Sequence, residues 1–441
     1  MSPAATTESL DTIVSLARRR GFIFPSSEIY GGLGSCYDYG PLGVELKRNV
    51  KDAWWRSMVQ LRDDIVGIDA SIIMHPKVWE ASGHVNCFHD ELVECTHCKV
   101  RIRTDHMDQL AQVCKGNLKK CDWGEPRQFN LMFKTHLGPV ADSGNEVYLR
   151  PETAQGIFVN FKNVMDSTRV KVPFGIAQQG KSFRNEITTR RFTFRMAEFE
   201  QMEMEFFVKP GEDEEWFTFW RNERLNWFAE LGVNRDRLRH RDHEEDELAH
   251  YSKACTDVEY YFPFGWSEIE GIASRTDYDL KQHSEHSKKE LLYRDQVTNE
   301  TFVPYVIEPA LGCDRAILTF LADAYKEEEI DGNKRTVLSL HPRLAPTKVA
   351  VFPLLRKDGH PEKAQEVYKI LRENYPCFYD EAGNIGKRYR RQDEAGTPIC
   401  VTIDHQTLED QTVTVRDRDT LEQSRVKIEA VKSFIFEKFG F

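Results

Sequence analysis

Three arginines lie in sequence contexts that are suited to binding an anionic substrate. Arg184 lies two residues before Glu186, and Arg150 two residues before Glu152, while Arg315 opens a helical pattern whose other residues are nearly all apolar. A guanidinium group offers a planar fork to a carboxylate or phosphate, and a nearby carboxylate can accept from an adenine amine. Each pair alone is typical of a solvated ion pair, and a lone arginine on an apolar helix is typical of pairing with a buried acid. The three segments together favour a nucleotide site.

A competing interpretation comes from the stretch GIAQQGKSFRNE at 175–186. Its first eight residues match the nucleotide-binding P-loop pattern, which requires a helix to begin at Lys181 and Ser182. The following residues, up to Val208, instead alternate apolar and polar side chains with a period of two. We therefore predict a strand, a loop and a second strand, with Arg184 and Glu186 on one side of the first strand. A helix over the second half stays open, since Glu, Gln and Met favour helices.

Length and composition describe an ordinary globular chain. Its 441 residues suit two or three domains, and apolar residues make up 40% and charged residues 30%. No run of about eighteen apolar residues and no signal-peptide pattern is present, which predicts a cytoplasmic protein with no membrane partner. The formal net charge of -11 argues against a generic nucleic-acid coat but allows a local RNA-binding face. Ten thinly spread cysteines favour reduced thiols or a metal over disulfides.

The elements that must position these residues can be read along the chain. Helical spacing predicts helices over 8–20 and from Pro41 to Val59, separated by a loop rich in Gly and Tyr that we interpret as a structural turn. A polar segment with four cysteines, 91–127, reads as an insertion. Short aromatic strands alternate with helices from 128 to 315, and a proline-containing linker follows.

The C-terminal part reads as a small α/β domain. Its pattern predicts strands at Val349–Phe352, Ile399–Ile403 and Val413–Val415, and helices at Pro361–Asn374 and Thr420–Phe436.

Several motifs together resemble the class II aminoacyl-tRNA synthetases. FRNE at 183–186 with RMAEF at 195–199 resembles motif 2 of that class, GCDR at 312–315 resembles motif 3, and HPKVWEASGH at 75–84 resembles motif 1. More closely still, LRPETAQGIF, GKSFRNEI, EFEQMEMEFF and VAVFPL resemble the dimeric glycyl-tRNA synthetase family. The resemblance covers essentially the whole chain, and the order of the motifs makes it specific.

This resemblance implies a fold, a reaction and partners. The fold would be α+β, an antiparallel class II sheet flanked by helices, with a C-terminal α/β anticodon-binding domain. Glycine would react with ATP to give glycyl-adenylate and pyrophosphate, and a homodimer would transfer the glycine to its tRNA, with Mg²⁺ as cofactor. The implied domains are 1–90 with motif 1, the insertion 91–127, the catalytic part 128–344 with motifs 2 and 3, and the anticodon-binding domain 345–441.

The resemblance also implies roles for individual residues. Arg184 and Arg315 would be catalytic, Arg184 bridging the glycine carboxylate and α-phosphate, and Arg315 holding the γ-phosphate. Glu186 would meet adenine, Phe194 would stack near the base, and Glu268 would help to hold Mg²⁺. The implied ATP-binding residues are Arg184, Asn185, Glu186, Phe194, Arg195, Glu198, Phe199, Glu268, Ile269, Gly312 and Arg315. The implied glycine-binding residues are Arg103, Glu152, Phe199, Gln201, Glu203, Glu308 and Gly312.

Two positions depart from the family pattern. The family usually reads E-P-S where this chain has Glu308, Pro309 and Ala310, so a hydroxyl expected beside glycine is missing. Ala197 stands where many relatives carry Arg.

The cysteine-containing insertion leaves two interpretations open. Cys95 and Cys98 form a C-x-x-C pair, and Cys114 and Cys121 follow, which suits a structural tetrahedral Zn²⁺. The wide spacing of the second pair leaves room for His97 or His106 as a substitute ligand. Reduced thiols in a degenerate insertion are the alternative.

The run GKRYRR at 386–391 mixes cations with an aromatic residue. Such a run is usually a solvated loop, and in a synthetase it would be placed to meet tRNA phosphates. Two other functions remain as rivals: a synthetase-like accessory protein that binds nucleic acid without catalysis, and the P-loop NTPase that the 175–182 match suggests.

Overall fold

The structure is a computed structural model. It describes residues 9–104, 121–139, 143–186, 191–249, 251–330 and 332–440. Within these ranges no helix combines the length and apolar character that crossing a bilayer requires.

A large sheet forms the centre of the molecule. In the described chain it contains seven strands: β1 Ile65–Ile68, β2 Phe174–Phe183, β3 Glu198–Val208, β4 Leu238–Asp242, β5 Ala254–Phe262, β6 Gly265–Thr276 and β7 Tyr305–Gly312. They lie in the order β4-β5-β6-β7-β3-β2-β1, antiparallel throughout except for the parallel β1–β2 pair. The predicted antiparallel class II sheet is confirmed.

Helices cover both faces of this sheet. On one face, β3 contributes Met202, Met204, Phe206 and Val208 to the main core, which also contains residues of the Pro41–Trp55, Asp213–Glu230 and Cys313–Ala324 helices. On the opposite face, Phe207 packs in a second core with the Ala154–Phe158, Phe161–Thr168 and Tyr278–Ser287 helices. The second set covers only part of its face, and the rest is open to a cavity.

The ends of the flanking helices follow from local sequence. Pro41 stands at the first position of its helix, where its missing N–H has no helical partner to lose. The N-terminal helix spans Leu10–Arg19, and the side chain of Ser9 caps it by accepting from the Thr12 N–H. The described helices are Leu10–Arg19, Pro41–Trp55, Lys77–Ala81, His84–Cys87, Ala154–Phe158, Phe161–Thr168, Asp213–Glu230, Tyr278–Ser287, Cys313–Ala324, His360–Arg372, Ile385–Ala395, His405–Asp410 and Val431–Phe439.

Short strands complete the part before residue 345. Three of them, His89–Glu94, Arg101–Arg103 and Arg127–Asn130, form a small sheet around the cysteine-containing segment. The others pair two by two: Ile23–Pro25 with Tyr37–Tyr39, Lys134–His136 with Glu146–Tyr148, Tyr293–Arg294 with Thr301–Phe302, and Tyr325–Ile330 with Asn333–Leu338.

The C-terminal part has a sheet of its own. It contains β8 Val349–Pro353, β9 Cys377–Tyr379, β10 Ile399–Ile403, β11 Thr412–Asp417 and β12 Gln423–Lys427, in the order β9-β8-β10-β11-β12. The prediction of one helix over Thr420–Phe436 is wrong. Residues of β12 pair antiparallel with β11, and the last helix begins only at Val431.

The expected solvated loop at 386–391 is also wrong. These residues lie in the Ile385–Ala395 helix, and Arg388 is only 2% exposed. Its guanidinium donates to backbone carbonyls, among them Leu354 O at 3.4 Å and Gly383 O at 3.3 Å. Arg391 pairs with Asp380. Both arginines therefore hold the domain together internally.

A buried charge cluster joins the C-terminal sheet to the preceding hairpin. Asp393 is fully buried and accepts from Arg335 Nε at 2.9 Å and from Arg416 Nη1 at 2.9 Å. Beside it, Arg418 Nη2 donates to Leu340 O at 2.8 Å. Because Arg335 lies in the Asn333–Leu338 strand and Arg416 in β11, one carboxylate connects the two parts of the chain.

Candidate active site

The β2–β3 hairpin is the platform of the candidate site. The two strands pair antiparallel from Phe174 opposite Phe207 to Phe183 opposite Glu198. Lys181 lies inside β2, opposite Glu200, and its Nζ pairs with Glu198 at 2.6 Å. No helix begins there, so the P-loop interpretation is wrong.

Two details of the predicted hairpin differ. Arg184 and Glu186 follow the end of β2 instead of lying on it. The ladder ends because the Asn185 N–H donates to Leu131 O and the Ala197 N–H donates to Ser35 O, neither of which is in the hairpin. The second strand begins at Glu198, and Phe192–Phe194 form a 3-10 turn. The period-two prediction is confirmed for β3, where Glu203 and Glu205 face away from the methionines of the core, and the helical alternative is wrong.

A cavity of about 320 Å³ opens beside β3, β6 and β7. Its lining is rich in arginine and glutamate side chains. The lining residues are Glu152, Arg184, Glu186, Thr193, Phe194, Arg195, Met196, Phe199, Glu200, Gln201, Glu203, Tyr251, Glu268, Gly271, Arg275, Glu308, Ala310, Gly312, Asp314 and Arg315. Most residues that the sequence assigned to ATP and glycine therefore lie around one space.

Arg184 is held by backbone and by aromatic rings. Its Nε donates to Pro151 O at 3.0 Å, and its guanidinium carbon lies 5.4 Å from the ring centres of both Phe88 and Phe199. Cation–π contacts orient a guanidinium without neutralising its charge. Arg184 therefore keeps its positive charge available to an anion in the cavity.

Arg315 also lines the cavity. It is the third residue of the Cys313–Ala324 helix, and its guanidinium carbon lies 4.5 Å from the centre of the Phe194 ring. Its Nη1 also pairs with Glu268 at 3.0 Å. The attraction of Arg315 lowers the pKa of Glu268.

The helix that carries Arg315 is fixed by its second residue, Asp314. This buried carboxylate accepts from the Glu200 N–H at 2.8 Å, from Lys47 Nζ at 3.0 Å and from the Tyr39 hydroxyl at 2.5 Å. These bonds tie the start of the helix to β3 and to the Pro41–Trp55 helix, so the position of Arg315 relative to the hairpin is set.

Three carboxylates converge on the sheet side of the cavity. Glu203 accepts from the Thr153 N–H at 2.9 Å and from Gln201 Nε2 at 2.6 Å. Burial, together with the negative charges of Glu308 and Glu152, raises the pKa of Glu203 to about 8. Burial is also the main cause that raises the pKa of Glu308. A buried group of acids that resist ionisation is suited to receive a cation.

Glu152 differs from the other two acids. Burial opposes its ionisation, yet attraction by His84, whose Nε2 lies 3.3 Å away, and by Arg275 outweighs burial and lowers its pKa. Gln155 Nε2 donates to the same carboxylate at 3.0 Å. Glu152 therefore brings a fixed negative charge to the pocket.

The sequence reasoning missed Arg275 and its partners. Arg275 Nη1 donates to both oxygens of Glu308 at 3.0 and 2.9 Å, and its Nε donates to Asp279 at 2.8 Å. The ring of Tyr251 covers the guanidinium at 4.0 Å. The available signal was an Arg and an Asp four residues apart, Arg275 near the end of β6 and Asp279 at the start of the following helix.

Four predicted residues lie outside the lining of this cavity. Arg103 donates to Asp90 at 3.0 Å in the small sheet of the insertion. Glu198 pairs with Lys181, and Ile269 is 1% exposed within the main core. Asn185 follows β2 and donates its N–H to Leu131 O at 2.8 Å. Their assigned contacts with ATP or glycine stay predictions.

The cysteine segment brings together three of its four predicted ligands. The sulfur atoms of Cys95, Cys98 and Cys121 all lie within 4.8 Å of one another, and Cys114 lies outside the described residues. Backbone N–H groups of Cys98 and His97 lower the pKa of the Cys95 thiol to about 7, the former more strongly. Closely spaced thiols of this kind fit a tetrahedral metal.

Two sequence profiles show the class of this protein, and one solved structure shows a similar fold. The tRNA synthetase class II core domain (G, H, P, S and T) matches residues 133–324, and the anticodon binding domain matches residues 348–438. The prolyl-tRNA synthetase from Cryptosporidium parvum, complexed with halofuginone and AMPPNP, has a similar fold with a TM-score of 0.68 and 14% identity, covering 100% of this chain and 79% of its own. The chain is thus a class II synthetase with an anticodon-binding domain.

Full-length relatives narrow the class to one family. The glycine–tRNA ligase of Alkaliphilus oremlandii is 54% identical over 99% of this chain and 100% of its own length. That of Borreliella burgdorferi is 56% identical over 97% of this chain and 96% of its own. The chain belongs to the glycine–tRNA ligase family, which confirms the glycyl-tRNA synthetase resemblance read from the motifs, while the dimeric state stays a prediction.

Proposed function

We propose that this chain activates glycine with ATP and transfers the glycine to the 3′ end of its tRNA. The supporting observation is that one cavity contains both a pair of anion-binding arginines, Arg184 and Arg315, and a group of three acids. The phosphates of a nucleoside triphosphate require arginines of this kind, and the ammonium group of an amino acid requires the acids.

The first half-reaction is a displacement at phosphorus. A carboxylate oxygen of glycine attacks the α-phosphorus of ATP, the bond to the bridging oxygen breaks, and pyrophosphate leaves. Little proton transfer is needed, so positioning and charge neutralisation supply the rate. Arg184 would hold the glycine carboxylate and the α-phosphate together, because its charge faces the cavity between the two binding regions.

Arg315 would bind the γ-phosphate. In the free protein, Arg315 lies over the ring of Phe194 and pairs with Glu268. Because adenine would stack on the same ring, Arg315 must move away from it when ATP binds. The Glu268 carboxylate lies at the cavity wall, and its ionised form is favoured. Carboxylate oxygens are ligands that Mg²⁺ prefers, so Glu268 would help to hold the ion. Bound Mg²⁺ would add positive charge beside the triphosphate.

Selection of glycine would rest on recognition of its ammonium group and on the lack of space in the pocket for a larger side chain. Glu152, Glu203 and Glu308 would surround the ammonium, and Arg275 keeps Glu308 in place. Ala310 lines the cavity, at the position where the family pattern described above has Ser. Its methyl group supplies no hydrogen bond, so the acids must provide the recognition of glycine in this chain.

The C-terminal part, 345–441, would bind the anticodon. The anticodon binding domain profile matches most of it. Since Arg388 and Arg391 are engaged internally, Lys387 and Arg390 remain from the basic run as candidates for phosphate contacts.

Two further expectations belong to this function. We propose a homodimer, because Ile29, Tyr30 and Leu33 expose 89%, 86% and 65% of their surfaces in one loop. Light scattering of the purified chain tests this. A cytoplasmic location follows from the sequence prediction.

We also propose that Cys95, Cys98 and Cys121 bind a structural zinc ion, with Cys114 as the fourth ligand expected from the sequence. The proximity of the three described sulfur atoms supports this. Zinc analysis of wild type and of the Cys98→Ser variant tests this proposal. The variant should contain less zinc, whereas reduced thiols without metal would give equally low zinc in wild type and variant.

Charging of tRNA with labelled glycine tests the proposed function. The full chain should form alkali-labile glycyl-tRNA that requires ATP, and the Arg184→Ala variant should not. Binding of tRNA without any charging would instead favour the accessory-protein alternative.

A further inference from the structure

A second group of metal-ligating side chains lies beside the cavity, on the far strands of the main sheet. His243 directly follows β4, and Cys255 and Asp257 lie two apart on β5, so they project from one face. His243 Nε2 lies 2.9 Å from Asp257 Oδ2, and its backbone N–H donates to Cys255 O at 3.0 Å. The imidazole nitrogen, the thiol sulfur and the carboxylate oxygen all lie within 4.8 Å of one another.

We propose that His243, Cys255 and Asp257 bind a transition-metal ion of the zinc class. Nitrogen, sulfur and oxygen ligands together are typical of Zn²⁺, and bond lengths of about 2.0–2.3 Å separate tetrahedral ligand atoms by about 3.3–3.8 Å. Small rotations of the three side chains would bring their ligand atoms from the observed spacing to this one. Three protein ligands leave a fourth position for water or for a group that enters the cavity.

The group lies on the sheet face that forms the floor of the cavity. Glu203, Ala310, Gly271 and Asp257 stand directly opposite one another on β3, β7, β6 and β5. Three strand spacings place Asp257 about 14 Å from Glu203 along this row. The two residues between them are small, so no large side chain separates the two ends. Glu268 lies nearer to the group than Glu203 does, since Glu268 Oε1 and Asp257 Oδ1 are each 3.9 Å from the position that a Cβ atom on Gly271 would take. The proposed ion differs from the Mg²⁺ expected beside Glu268 in its ligands, which are His243, Cys255 and Asp257.

A simple ion pair of His243 with Asp257 is the competing explanation. Arg241 also faces Asp257, with Nη1 3.7 Å from Oδ2. Its Nη2 pairs with Glu247, so it can leave Asp257 to a metal and keep a partner. An ion pair does not require Cys255, whose sulfur completes a three-ligand set.

Metal binding here would fix one wall of the glycine pocket. The connection from His243 to Cys255 carries Tyr251, whose ring lies 4.0 Å from the Arg275 guanidinium. An ion that joins both ends of this connection would hold the tyrosine over the arginine.

Cobalt binding to the full-length, reduced chain tests the site without any substrate. Cys255→Ser is compared with wild type, with Cys98→Ser, which alters only the other cysteine group, and with Cys87→Ser, an exposed thiol in neither group. Cobalt bound per chain and the sulfur-to-cobalt absorption are measured, and then Zn²⁺ is added as competitor. His243→Gln serves as a second variant that keeps the thiol.

We expect Cys255→Ser and His243→Gln each to bind one cobalt ion fewer than wild type, and Cys87→Ser to bind the same number. In the Cys98→Ser chain the thiolate absorption should persist and should disappear when Cys255→Ser is added. Equal cobalt stoichiometry in wild type and both variants would overturn the proposal, as would a Cys98→Ser chain without thiolate absorption.

Discussion

Replacement of Glu203 by Gln should weaken glycine binding and leave ATP binding unchanged. Glu203 is 2% exposed, and in the free protein its pKa is about 8 because of burial and the neighbouring acids. Glycine would bind to the ionised form, where its ammonium gains a charge-assisted hydrogen bond of about 1.5–3 kcal/mol. The amide of Gln cannot supply that charge. We expect the KM for glycine to rise about 10–100-fold.

Pyrophosphate exchange into ATP measures this effect, with glycine and ATP varied separately. Glu205→Gln is the matched control, since Glu205 lies two residues further on the same face of β3 and is fully buried. Burial raises the pKa of Glu205 well above its ordinary value, which favours the neutral carboxyl that the amide of Gln resembles. Equal rises in the KM values of glycine and ATP would refute the ammonium role, and so would an equal effect of the control.

Stability distinguishes this effect from damage to the fold. An acid whose pKa rises from 4.5 to about 8 on folding binds more protons in the folded state between these pH values. Its contribution to the free energy of unfolding is therefore present below pH 4.5 and falls by about 1.4 kcal/mol per pH unit up to pH 8. The Glu203→Gln variant lacks this decrease in stability with pH, because Gln does not titrate. The variant should be at least as stable as wild type at pH 8 in urea unfolding.

Three further predictions follow from the same structure. Arg184→Ala should reduce pyrophosphate exchange by about 10²–10³-fold, because it removes a charge at the reacting phosphate, whereas Lys181→Ala breaks only an exposed pair and should leave exchange unchanged; the reverse order would restore the P-loop interpretation. The KM for glycine should fall as pH rises from about 6 to 8, by at most tenfold per unit, because Glu203 must lose its proton, and a KM independent of pH would contradict this. Asp393→Asn should lower the free energy of unfolding, measured in urea, by about 3–5 kcal/mol, because the buried Arg416 and Arg335 lose the carboxylate that they share, and Arg335 keeps Glu328 as an acidic partner; the exposed Asp358→Asn should not lower it, and equal stability of both variants would show that the cluster does not join the two parts.

The hairpin could be predicted because its pattern is local. The alternation of Met202, Glu203, Met204 and Glu205 has one period and two very different faces, and burial of the methionines fixes the register. A helix at Lys181 is excluded by β2, which continues through this residue to Phe183. Arg184 directly follows β2, and Arg315 is the third residue of the helix after β7, so the motif residues locate the cavity.

Other features depend on partners far away in the sequence. Arg388 looks solvated in GKRYRR, but it is buried because backbone carbonyls at 354 and 383 face it. Residues 423–427 contain Gln, Lys and Arg, which suit a helix, yet the free edge of β11 pairs with them as a strand. Arg275 received no role because its partner Glu308 lies 33 residues away on β7.

The dependence of pyrophosphate exchange on the amino acid tests the central claim most directly. Under the proposed function, the arginines of the cavity would bind the nucleotide, and its acids would form an ammonium pocket with little room for a side chain. Labelled pyrophosphate should therefore enter ATP with glycine, and alanine and serine should support the exchange at least about 10-fold less efficiently. Exchange that does not require any amino acid, or that alanine supports as well as glycine, would contradict the account.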